Sequence, residues 1–175
     1  VECIDRLRDT MQSHERCSVV EVMGRHAGYL ALYVGLAVGA TAVLVPETAY
    51  DFEAHVAEKI RQARLMGKTN FMIVVAEGCV SAIKVGDQIR EELGLDPRVT
   101  ILGHIQRGGS PTAKDRVTAT RMGYEAVRVL AEGGTNRVIV IRNDQVIDLG
   151  IDEGLAMTKT LNQEEFQVMK TMTGQ

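Results

Sequence analysis

The sequence predicts an α/β fold, a parallel sheet flanked by helices, with a hairpin and further helices toward its carboxyl end. Three observations carry this. Four nearly continuous, β-branched apolar runs recur, "VVEV" (19–22), "AVLV" (42–45), "FMIVVA" (71–76) and "VTIL" (99–102), as strands buried on both faces do. Helical patterns separate them, so strand follows strand at intervals of about 25–40 residues, the spacing of βαβ units. A fifth run, "VIVI" (138–141), opens "VIVIRNDQVIDLG", which reads as two extended pieces turning at Asn143-Asp144.

Taken in order, the chain opens on apolar residues at Val1, Ile4, Leu7 and Met11, a helix entered partway along and without an initiator methionine. A chain cut from something longer is the expected reason. Between the second and third runs, Asp51 is a plausible N-cap for a helix with Phe52, Val56, Ile60 and Ala63 on one face and Gly67 just past its end. After the fourth run, Ser110 and Pro111 offer an N-cap and a first-turn proline to a helix that turns Ala119, Met122, Ala126, Val129 and Leu130 inward, with Gly133 beyond. The whole predicts a Rossmann-like three-layer arrangement. No internal repeat or low-complexity tract interrupts it. No strand is followed by GxGxxG, which argues against a dinucleotide-binding domain.

Composition narrows the function classes. At 175 residues, 45% apolar and 25% charged, the chain has ordinary globular proportions. A net charge of −3 lacks the basic excess of a general nucleic-acid surface. Cys3, Cys17 and Cys79 form no CxxC pair and have no ligand spacing with the four histidines, so neither structural zinc nor a disulfide framework is expected. No apolar run approaches the roughly 20 residues of a membrane span. A reducing, cytoplasmic setting is expected.

In open parallel sheets, ligands bind beyond the carboxyl ends of the strands. There the sequence places Met23-Gly24-Arg25, Pro46-Glu47, Glu77-Gly78 and "GHIQRGGSP" (103–111). Glycine lets a ligand approach the backbone, arginine offers a donor fork to phosphate or carboxylate, and histidine with a carboxylate suits sugar hydroxyls. Their shared placement points to a small, anionic, hydroxylated metabolite. His26 and His55 read as ordinary side chains, and the eight methionines as core filler. Arg16 and Arg98 precede strands, so they lie at the opposite, amino ends. From pattern alone they are either solvated charges or groups facing another subunit's cleft.

"VVEVMGRHAG", "VPE", "VAEG" and "VTILGHIQRGGSPTAKDR", in this order and spacing, resemble the carboxyl-terminal half of bacterial 6-phosphofructokinases. The resemblance is strongest from Arg8 to about Arg128 and weakens after residue 150. It implies a half-enzyme that holds fructose 6-phosphate. Met23, Gly24 and Arg25 would line the sugar site, and Glu77 would accept from a sugar hydroxyl. His104 and Arg107, with Ile105 and Gln106 between them, would contact the sugar phosphate or ring. Arg16 and Arg98 would complete a neighbouring subunit's phosphate site, since family members are homotetramers.

The resemblance also implies magnesium and ATP in the full-length enzyme. Its glycine-rich loop and Thr-Ile-Asp-Asn-Asp base motif are absent here, so no catalytic residue is assigned to this chain beyond Arg25 as a possible transition-state stabiliser. This chain alone is expected to be inactive. Residues 1–110 are expected to form the sugar-phosphate-binding domain. The helix and hairpin of 111–150 would return to the nucleotide-binding domain, and helices would fill 151–175. Arg8, Gly39 and Lys68 match an allosteric nucleotide site, but Thr41 and Met66 stand where an acid and a lysine are usual. A pyrophosphate-dependent relative and a non-catalytic sugar-phosphate sensor are the alternatives.

Overall fold

The computed structural model describes residues 1–11, 16–158 and 160–173. They form two compact units, residues 1–107 with 161–175 and residues 108–160.

The first unit is built on four parallel strands: β1 (Cys17–Val22), β2 (Ala42–Leu44), β3 (Phe71–Ala76) and β4 (Pro97–Ile101), in the order β2-β3-β1-β4. The alternation of side chains along each strand divides the core in two. Val20, Val22, Val43, Val45, Met72 and Val74 pack on one face against α1 (Glu2–Met11), α2 (Tyr29–Val38) and α7 (Gln163–Met172). Val19, Leu44, Phe71, Ile73 and Val75 pack on the other against α3 (Glu58–Leu65) and α4 (Ala82–Leu93). The three layers are those expected from the apolar runs.

Two helix starts differ in detail from the expectation. Asp51 does act as a cap, its Oδ1 accepting from Ala54 N at 2.9 Å while Asp51 N donates to His55 Nδ1 at 3.1 Å. The turn it opens, Glu53–Ala57, is π-helical before it tightens into α3. In the second unit, α5 (Ala113–Ala131) is capped by Thr112, not Ser110. Thr112 Oγ1 accepts from Asp115 N, and the Asp115 carboxylate accepts from Thr112 N at 2.8 Å. This reciprocal pair outcompetes the lone serine, and Pro111 falls outside the helix.

In the second unit, β5 (Arg137–Arg142) and β6 (Gln145–Gly150) pair antiparallel across Asn143 and Asp144, both at positive φ, as a two-residue turn of this hand demands. The six-residue α6 (Ile151–Ala156) follows. Of the face predicted to turn inward along α5, only Val129 is buried; Met122 and Ala126 are half-buried, Ala119 is exposed and Leu130 is 68% exposed. This unit buries almost no core of its own.

Candidate functional site

Three loops meet beyond the carboxyl ends of β3, β1 and β4, which are neighbours in the sheet. Glu77 joins the first two. Its Oε1 accepts from Arg25 N at 2.6 Å and from Gly24 N at 3.3 Å, while Glu77 N donates to Val22 O at 3.0 Å. The contact is close. A Cβ on Gly78 would stand 2.0 Å from Arg25 O, so only glycine lets the two loops touch. Arg25 itself is held at φ 56°, a left-handed conformation costly for an arginine, and the hydrogen bonds that Gly24 N and Arg25 N donate to Glu77 fix it there.

The third loop is tied to the same backbone. Residues Gly103–Gln106 form a single 3₁₀ turn after β4, entered through Gly103 at φ 52°. Gln106 Oε1 accepts from Met23 N at 3.3 Å, and its Nε2 donates to Gly103 O at 3.2 Å. Arg107 N closes the turn on His104 O at 3.0 Å. His104, Ile105 and Arg107 stay exposed, with Ile105 73% exposed. Met23, Gly24, Arg25, Glu77 and Gln106 are thus linked by hydrogen bonds, and His104, Ile105 and Arg107 ride on the turn that Gln106 anchors. The result is a shelf with two guanidinium groups, one imidazole and one carboxylate. Both of these Glu77 bonds use Oε1, and no hydrogen bond to its Oε2 is made among the described residues.

Glu47, grouped with these residues by sequence, has another task. Both its oxygens accept from Gly28 N, at 2.9 and 3.2 Å, closing the amino end of α2. Sequence reasoning missed the bridging role of Gln106, for which no local pattern gives a signal.

Arg16 and Arg98 lie at the far end of the sheet. β1 rises roughly 3.3 Å per residue, so Arg16 and Met23 are separated by roughly 23 Å, beyond any arginine's reach. Arg98 pairs in register with Ser18 and its guanidinium is 3.5 Å from Asp96. Arg16 Nη1 donates to Thr10 O at 3.3 Å.

A second group of the predicted residues converges near α1. Arg8, Gly39, Thr41 and Lys68 line a cavity of about 300 Å³ with Met11, Asn70 and Met72. The Arg8 guanidinium donates to Val38 O, and Thr41 Oγ1 accepts from Met72 N at 3.2 Å. Met66 does not line it and is 70% exposed. The donor set does not fit a magnesium–nucleotide complex. Among the described residues no carboxylate lines this cavity, and no three His, Cys, Asp or Glu side chains converge.

The family described as "Phosphofructokinase" matches residues 1–130. The ATP-dependent 6-phosphofructokinase of Bacillus mycoides (strain KBAB4) is 47% identical over 173 residues, 99% of this chain and 54% of that protein. That of Bacillus cytotoxicus is 46% identical over the same share of each. Among solved structures, phosphofructokinase from Saccharomyces cerevisiae superposes with a TM-score of 0.81 at 34% identity, covering 98% of this chain and 24% of that one. Pichia pastoris phosphofructokinase in the T-state gives 0.79 at 33%, over 98% and 20%. The chain spans about half the length of the curated relatives it matches, and with most of its residues inside the family's own pattern it belongs to the phosphofructokinase family.

Proposed function

We propose that this chain is the fructose 6-phosphate-binding half of an ATP-dependent 6-phosphofructokinase, the kinase that transfers phosphoryl from ATP to the sugar 1-hydroxyl. One observation carries the reading: Arg25, Glu77, His104 and Arg107 sit on adjacent strand ends, locked together through Glu77 and Gln106. In this reading Arg107 and His104 hold the sugar phosphate and ring, and Glu77 Oε2 accepts from a sugar hydroxyl. Met23 and Gly24 give the backbone floor, and Arg25 faces the phosphoryl group in transfer. Arg16 and Arg98, too far from their own shelf, complete the phosphate site of a neighbouring subunit in a homo-oligomer. The names of the Bacillus relatives favour ATP over pyrophosphate as donor.

The base, the magnesium and the nucleotide belong to the other half of such an enzyme, so the chain alone is inactive. The exposed faces of α5 and β5 support assigning residues 111–150 to that half. The effector cavity keeps Arg8 and Lys68 but has Thr41 in place of an acid. Its response to ADP is therefore weak, and a response as strong as that of other family members contradicts this. A cytoplasmic location accords with a glycolytic role.

Calorimetric titration with fructose 6-phosphate, beside Arg107→Ala, tests the central claim. Loss of one charge-assisted contact should weaken binding roughly tenfold or more. Equal binding by both forms contradicts the assignment.

A further inference from the structure

A different cavity, of about 350 Å³, opens along the outer side of β2, at the sheet margin opposite β4. It arises because β2 pairs only with β3, so the helical layers close around an unpaired strand edge. Lys59 of α3 reaches across: its Nζ donates to Thr173 O at 2.8 Å and approaches Thr173 Oγ1 at 3.4 Å, capping the carboxyl end of α7. Val43, Val45 and Phe166 give its lining apolar surface, and Lys59, Lys170 and His55 add polar groups.

The charge of this cavity is one-sided. No carboxylate lines it among the described residues. Of the acids next in sequence to its lining, Glu47 accepts from Gly28 N, Glu58 from Gln62 Nε2 and Asp51 from Ala54 N, while Glu165 is hydrogen-bonded to the Tyr33 hydroxyl and keeps Oε2 buried without a partner among the described residues. Lys59 is only 5% exposed, and an ammonium so enclosed needs an anion or strong acceptors. Burial holds its pKa below the usual lysine range, Glu58 opposes this, and the charge of Lys170 lowers it further. Lys170 in turn lies over the Phe166 ring, 4.8 Å from its centroid. Two cations that repel each other therefore stand beside apolar surface, in a space of the size small ligands fill.

We propose that this cavity binds a small organic anion, its phosphate or carboxylate head held by Lys59 and Lys170 and a short apolar body lying against Val43, Val45 and Phe166. The sugar shelf lies on the other strands and contributes none of these residues. An occupant would neutralise the lysine pair and cover the β2 edge.

The test uses the 175-residue chain with methionine methyl groups labelled for NMR, since Met169 lines the cavity. Phenyl phosphate and benzoate are titrated as probes, with benzyl alcohol as the neutral control. At least one anion is expected to shift the Met169 methyl, and the tighter of the two identifies the head group. The alcohol should bind roughly tenfold more weakly or worse, and Lys170→Gln should weaken the anion by a similar factor. Arg107→Ala should leave the titration unchanged, which separates this site from the sugar shelf. Lys59→Met, expected to abolish anion binding, is a second variant; if it fails to fold, Lys170→Gln decides. An unmoved Met169 methyl, equal binding of the alcohol, or undiminished binding by Lys170→Gln overturns the proposal.

Discussion

Replacing Gly78 with alanine tests the mechanics of the shelf directly. The new Cβ would lie 2.0 Å from Arg25 O and 3.1 Å from Arg25 C, both backbone atoms with no rotamer to yield. Ordinary contact distances require the carbonyl to retreat by roughly 1 Å or more. Arg25 cannot retreat alone, because its N–H is bonded to Glu77 at 2.6 Å and its left-handed φ depends on that bond. Overpacking of this kind costs about 1–3 kcal/mol, and losing the charge-assisted bond adds about 1 kcal/mol after discounting for exposure. A loss of about 2–4 kcal/mol should lower Tm by roughly 10 °C or more for a unit of this size. Circular dichroism melts measure it, beside Gly123→Ala, where nothing lies within 4 Å of the added Cβ. That control sits inside α5 and should be neutral or stabilising by up to about 1 kcal/mol. Fructose 6-phosphate titration of Gly78→Ala should show lost affinity as well. An unchanged Tm together with unchanged sugar affinity would refute the claim that the two loops are locked through this contact.

Other expectations follow from the same structure. Burial pushes the Cys17 thiol up to about 12, so a thiol reagent at pH 8 should modify Cys3 and leave Cys17 until the chain unfolds; equal labelling rates contradict the buried strand assignment. The Asp115 carboxyl is held below the usual range by bonds from the backbone and then the side chain of Thr112. Its contribution to α5 is therefore present above the unfolded aspartate pKa, near about 4, and is lost as pH falls through the depressed folded value. Asp115→Asn should flatten the acid limb of the stability curve, and an identical limb in both forms argues against the capping box. The second unit leaves Tyr124, Val127, Leu130 and Leu155 exposed, so sedimentation should show concentration-dependent association; a monomer at high micromolar concentration contradicts it.

The sheet was legible because its information is local. The run 71–76 became β3 without change of boundary, and 138–141 became a hairpin strand because Asn143 and Asp144 tolerate positive φ. At β4 the run misled slightly. Pro97 begins the strand, and Leu102, read as its last residue, turns helical at φ −69° and ψ −40°. Proline is tolerated at a strand's first residue, a position that apolar content alone does not mark.

The shelf was legible for a related reason: each of its loops is short and contiguous, and parallel topology brings the carboxyl ends of adjacent strands together. Topology does not say which polar group each side chain will choose. Glu47 and Glu77 end strands in similar local company, yet one closes a helix and the other fixes the Arg25 loop. What separates them is the neighbour each meets: Gly28 N at the start of α2, against the Gly24 and Arg25 amides released by a left-handed turn. The cavity beside β2 is the limiting case. Its residues come from 42–59, Cys79 and 166–173, with no periodicity or motif connecting them. Only the return of α7 to the first unit, and the single reach of Lys59 to Thr173, brings them together. A site assembled by side chains across separate elements has no sequence signature, so physical inspection of charge and space is the means of finding it.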